Sequence, residues 1–205
     1  MVPNLTHNIF NMNNYLAYIS SVCEQYPHRS TNLIESININ QYKSKSWLVE
    51  ELLKWVPDES PTILILGGWY GSYLIPMLKK QYPNSTIIHT DKDPHTVEIA
   101  SRLHHDITNC TFEVLDTHNP TKQYIADILI NTSCEHMEKL GMDMLSNKYN
   151  CLYALQSCDN KNDPGHINTS VNTRDFSQKC NLATELFTAR MDLGHKNRFM
   201  IIGYM

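Results

Sequence analysis

The chain has 205 residues, 41% apolar and 19% charged, and a formal charge of −4 when its ten histidines are neutral. That length suits one domain with a substantial core, and the composition excludes a disordered chain. The acidic balance argues against a surface built mainly to grip a nucleic-acid backbone, although a local basic groove stays open.

Along the chain, the first thirty residues carry a loose apolar pattern (Ile9, Phe10, Tyr15, Leu16, Ile19, Val22). The pattern predicts a helix from about Asn13 to Gln25, stopped by Pro27. A second helix is predicted over Ser46–Trp55, capped by Ser44 or Ser46, with Trp47, Leu48, Leu52 and Trp55 on its apolar face. Thr62–Leu66 is wholly apolar after its first residue and ends at Gly67-Gly68, which suits a strand buried on both faces. A helix follows over Ser72–Gln81, kinked or delayed by Pro76, then a strand over Thr86–Thr90. Pro94 opens a helix that runs from Thr96 to Leu103. Further strands are predicted at Thr111–Leu115, Asp127–Ile130 and Cys151–Leu155, with a helix over Met137–Leu145. Residues 156–173 form a long polar loop. Glu185–Asp192 and Arg198–Met205 then make a hairpin. Strands alternating with helices imply an open α/β sheet with right-handed crossovers and a ligand at the carboxyl ends of its strands.

The six cysteines form no Cys-x-x-Cys pair, so free thiols in a reducing compartment are expected. The opening residues lack a basic stretch followed by an apolar run, and no apolar run reaches membrane-spanning length. A cytoplasmic protein without a membrane partner is therefore expected.

Five clusters carry chemistry. Gly67-Gly68-Trp69-Tyr70-Gly71 follows the first buried strand, where glycines let the backbone turn sharply or approach a ligand. Asp91 ends the second strand, twenty residues after Gly71, where an acid can accept from both hydroxyls of a ribose; Asp93, before Pro94, suits a helix cap. Asp116-Thr117, after the third strand, can read an adenine edge or form a plain turn. Asn131-Thr132-Ser133-Cys134-Glu135-His136 ends the fourth strand. There His136 is a candidate general base or substrate-orienting group, with a structural cap as the competing role. Gln156 and His166 are candidate substrate contacts from strand five and the long loop. His104-His105-Asp106 and Cys134-Glu135-His136 lack the spaced pairs of zinc sites, so no metal is expected.

The first three clusters, with His89-Thr90-Asp91-Lys92-Asp93-Pro94 and the closing hairpin, resemble the class I S-adenosylmethionine-dependent methyltransferases. The resemblance covers about residues 60–205. It implies a Rossmann-like three-layer sandwich: a seven-stranded, mostly parallel sheet ending in an antiparallel hairpin. Residues 1–57 become an N-terminal helical cover and 58–205 the cofactor-binding unit. S-adenosylmethionine would lie against Gly67, Gly68, Trp69, Gly71, Asp91, Lys92, Asp116, Thr117 and Asn131. Asn131, Glu135 and His136 would be catalytic, and Tyr70, Ser133, Gln156 and His166 would face a small-molecule substrate. Glu135-His136 is similar to the pair found there in many small-molecule enzymes of the family. The Asn-Pro-Pro-Tyr run of amino-directed DNA methyltransferases is missing after Asn131. Two departures stand out: Ile65 replaces an acid usual in the family, and Trp69 replaces a glycine. They keep two alternatives open, namely other chemistry on the same cofactor (aminopropyl or aminocarboxypropyl transfer, or cleavage) and a non-catalytic binding or assembly module.

Overall fold

A computed structural model describes residues 12–205. Ile9 and Phe10 of the N-terminal pattern lie outside the described residues. Helices α1 (Met12–Gln25), α2 (Ser30–Ser36) and α3 (Ile39–Leu52) lead into strand β1 (Thr62–Leu66). There follow α4 (Leu74–Gln81), β2 (Thr86–Asp91), α5 (Pro94–Leu103), β3 (Cys110–Val114), β4 (Ile128–Asn131), β5 (Leu152–Cys158), α6 (Thr173–Cys180) and the hairpin of β6 (Thr184–Asp192) and β7 (Asn197–Tyr204). The seven strands form one sheet in the order β3-β2-β1-β4-β5-β7-β6. β1 to β5 are parallel, and β7 joins β5 antiparallel.

β1 explains why the sheet is covered on both faces. Successive side chains of a strand point to opposite faces. Ile63 and Ile65 join Ile128, Ile130, Met200 and Ile202 under Leu48 and Leu52 of α3 and Leu74, Ile75 and Leu78 of α4. Leu64 and Leu66 join Leu129, Tyr153, Leu155 and Ile201 under Phe176 and Cys180 of α6. Apolar residues on both alternations leave no face for water, so the run is a central strand. A third cluster (Ile19, Val22, Leu33, Tyr70, Ile99 and Leu103) joins α1 and α2 to α5. All six cysteines are unpaired. Among the described residues, no helix is long and apolar enough to cross a membrane.

Two predicted elements are corrected and two helices are added. The second helix begins at Ile39, because Asn38 caps it by accepting from the amides of Asn40 and Gln41, both at 2.9 Å. Ser44 and Ser46 are interior to it and bond Gln156 and Glu50 instead. Trp55 lies beyond its end and is exposed. The helix expected over Met137–Leu145 is absent. Gly141 takes φ +84, and the side-chain amides of Asn168 and Asn131 donate to the carbonyls of Met137 and Leu140, competing with the helical pattern. Only a short 3-10 turn, Met142–Met144, forms there. α2 and α6 were not foreseen; α6 is capped by Asn172, which accepts from Asp175 at 2.9 Å.

Candidate functional site

The order of the strands reverses between β1 and β4, and a cleft of about 650 Å³ opens there at the carboxyl ends of the parallel strands. The glycine loop forms its floor. Gly67, Trp69 and Gly71 all have left-handed φ (55, 52 and 64), an unfavourable region for Trp69, which has a Cβ. Gly68 serves a different purpose: a Cβ there would come within 2.3 Å of His89 Nε2. The loop therefore packs directly onto His89, a fully buried ring whose pKa burial pushes down to about 4. His89 is a neutral spacer beneath the loop.

Asp91 ties this floor to β2. Its Oδ2 accepts from Trp69 N at 3.0 Å and its Oδ1 from Asp93 N at 3.1 Å. Burial raises its pKa, with the amides of Asp93 and Trp69 opposing. Asp93 caps α5 as expected, accepting from His95 N at 3.0 Å, and pairs with Arg29 at 2.7 Å. Lys92, Asp116 and Thr117 line the same end of the cleft. Asp116 is exposed and accepts from His118 N at 2.9 Å, a contact that pulls its pKa down.

At the end of β4, Ser133 Oγ donates to the Gly67 carbonyl at 3.0 Å, closing the loop against its neighbouring strand. Glu135 is buried in an ion pair with Arg198 of β7, N–O 2.5 Å, and Arg198 also donates to the Thr132 carbonyl. Burial would raise the Glu135 carboxyl, but the Arg198 charge and a backbone amide hold it below the usual range. Among the described residues its Oε2 has no hydrogen-bond partner. His136 is exposed in the cleft, and its Nδ1 lies 2.9 Å from the Gly165 carbonyl. A carbonyl only accepts, so Nδ1 carries the proton and Nε2 keeps a free lone pair. The long loop returns His166 to this point, its ring centroid 4.5 Å from that of His136.

Comparison with known proteins is one-sided. No family model matches the chain, and no curated protein does. Solved structures do match. A SAM-dependent methyltransferase from Aquifex aeolicus superposes with a TM-score of 0.56 at 12% identity, covering 75% of this chain and 88% of that one. The N-methyltransferase NodS from Bradyrhizobium japonicum gives 0.62 at 11%, covering 82% and 97%. Coclaurine N-methyltransferase, bound to N-methylheliamine and SAH, gives 0.56 at 11%, covering 90% and 68%. This chain has the class I methyltransferase fold.

Within that class I fold, not every predicted site residue reaches the cleft. Asn131 is fully buried: its Oδ1 accepts from Ser133 N at 2.9 Å and its Nδ2 donates to Leu140 O at 3.3 Å, so it shapes the turn. Gln156 is also fully buried and exchanges two hydrogen bonds with Ser44, tying α3 to the sheet. Tyr70 borders the cleft but has no exposed surface; its ring belongs to the cluster beneath α1 and α2. The side chains of all three are buried, and of the three only Tyr70 borders the cleft. Gly67, Gly68, Trp69, Gly71, Asp91, Lys92, Asp116, Thr117, Ser133, Glu135, His136 and His166 all line the cleft. Ile65, in place of the usual acid, is wholly buried in the sheet core.

The sequence reading missed Lys45, Lys196 and Arg198, which also line the cleft. Arg198 had a signal, a cation opening an apolar strand; Lys45, in the polar stretch Gln41–Ser46, had none. Glu135, Cys158 and His166 bring potential metal-ligand atoms within 4.8 Å of one another. Arg198 already neutralises Glu135, and burial raises the Cys158 thiol to about 11, so this trio disfavours a cation.

Proposed function

We propose that this chain is an S-adenosylmethionine-dependent methyltransferase acting on a small molecule. The observation that carries the reading is Asp91, at the end of β2, bound to the glycine loop and facing the cleft at the reversal of strand order. Trp69 N donates to one carboxylate oxygen and Asp93 N to the other, leaving lone pairs for two ribose hydroxyls. The loop takes left-handed backbone at Gly67 and Gly71, and Asp116 and Thr117, which line the same cleft, would border the adenine edge. A cleft of about 650 Å³ falls in the size range that holds a cofactor together with a small acceptor.

When bound, S-adenosylmethionine supplies a sulfonium-activated methyl group. The chain's residues align an acceptor with it and take up the acceptor's proton. His136, its Nδ1–H fixed on the Gly165 carbonyl, offers Nε2 as the base. Glu135 Oε2 accepts a donor from the same acceptor. α2 and α3 contribute Asn32, Glu35, Gln41 and Lys45 to the wall of the cleft, which supports reading the N-terminal helices as a cover over a cofactor-binding unit of residues 58–205. The free thiols fit a cytoplasmic setting.

Calorimetric titration with S-adenosylmethionine and S-adenosylhomocysteine tests this. Two bonds to a charged acceptor contribute about 1.5–3 kcal/mol each, so Asp91→Ala should weaken binding ~100-fold or more. No binding at millimolar ligand, or equal binding by Asp91→Ala, would sink the assignment.

A further inference from the structure

The electrostatic character of the cleft reverses along its length. At one end stand Asp91 and Asp116, after β2 and β3, with Lys92 beside them. At the other end Lys45 of α3, Lys196 of the β6–β7 turn and Arg198 of β7 converge on Glu135 and Asp163. Arg198 is taken by Glu135, and Asp163 accepts from Gly165 N at 2.9 Å and lies 3.6 Å from His166 Nε2. Among the described residues, no carboxylate comes within ion-pair distance of Lys45 or Lys196.

Lys45 is half-buried in the wall of the cleft. Burial holds its ammonium well below the usual lysine range; the Arg198 and Lys196 charges push the same way, and Glu135 opposes them. Such a cation gains from an anionic partner that replaces lost water. Two further groups await partners in the same wall: Arg198 Nε, a buried donor, and Glu135 Oε2, a buried acceptor. Each is costly to leave unsatisfied. One ligand satisfies all of them if it carries an oxyanion beside a hydroxyl or amine.

We infer that the acceptor substrate is a small acid whose oxyanion, carboxylate or phosphate, is held by Lys45 and Lys196 while its neighbouring hydroxyl or amine faces Glu135 and His136. This inference rests on the methyltransferase reading of the cleft and names its substrate class.

The test is an NMR titration of 15N-labelled protein, saturated with S-adenosylhomocysteine, against succinate and against inorganic phosphate at constant ionic strength. Saturable shifts at the amides of Glu135, His166 and Lys196 are expected for at least one anion, and which one binds tells a carboxylate site from a phosphate site. Lys45→Met and Lys196→Met should each weaken that binding tenfold or more while S-adenosylhomocysteine affinity stays within threefold. Lys45→Gln serves as a second variant should Lys45→Met fold poorly. Absence of saturable shifts with both anions, or unchanged anion affinity in the variants, overturns the inference. So does a matching loss of S-adenosylhomocysteine affinity, which would assign the lysines to the cofactor's own carboxylate. If S-adenosylhomocysteine does not bind at all, the methyltransferase reading fails, and the same titration of the protein alone still decides whether the anion site exists.

Discussion

Arg198→Met separates a structural from a catalytic role for the buried pair. Arg198 and Glu135 are 6% and 3% exposed, and their charged atoms lie 2.5 Å apart. Removing the guanidinium leaves an uncompensated carboxylate in a nearly dry site and strips the Thr132 carbonyl of its donor. Breaking a buried pair in this way costs about 3–5 kcal/mol. For a chain of this length, that corresponds to a fall in melting temperature of about 6–20 °C. Most of the penalty comes from the stranded charge, so adding Glu135→Gln to Arg198→Met should restore a large part of the stability. Thermal and urea unfolding of the two single variants and the double variant measure this directly. If Arg198→Met alone is as stable as the parent, or if the double variant is no better than Arg198→Met, the pair is not the buried charge couple argued for here. In the parent, the Glu135 carboxyl lies below its unfolded value, so its contribution is present above that value and disappears as acid protonates the folded state.

Three other outcomes are expected. His136→Gln should lower turnover about 10²- to 10⁴-fold, with S-adenosylhomocysteine affinity little changed, as a lost general base does; unaltered turnover would remove His136 from the chemistry. His89 and His104 are buried with pKa values pushed down to about 4, chiefly by desolvation. The folded protein refuses protons that the unfolded chain accepts, so stability should be full above about pH 6.5 and decline towards pH 4, by about 3 kcal/mol per histidine. Loss between pH 6.5 and 5, where ordinary carboxylates stay ionised, is the diagnostic range in urea unfolding, and a flat profile there would contradict the burial of these rings. Gly203→Ala would set a Cβ 2.0 Å from the Thr184 carbonyl oxygen, where neighbouring backbone cannot yield. It should cost about 1–3 kcal/mol by prising β6 from β7, and an unchanged melting temperature would refute that register.

Much of the architecture was legible because periodicity and punctuation are local. Apolar residues on both alternations of Thr62–Leu66, closed by Gly67-Gly68, dictate a doubly covered strand ending in a turn. Asp93-Pro94 dictates the start of α5. Asp91, Asp116 and His136 were found from their positions after strands, because a parallel sheet delivers every strand end to one edge. Tertiary structure decided the rest. Asn131 ends β4 and Gln156 lies within β5, yet their amides are consumed by Ser133, Leu140 and Ser44, partners up to 112 residues away. The segment after His136 stays non-helical because Asn131 and Asn168 hold its carbonyls. Lys45, Lys196 and Arg198 belong to three separate elements, and only the docking of α3 and the β6–β7 hairpin brings their charges into one cleft. Local pattern reports which way a side chain points along its own element; which groups compete for it, and whether water remains, depends on the elements that close over it.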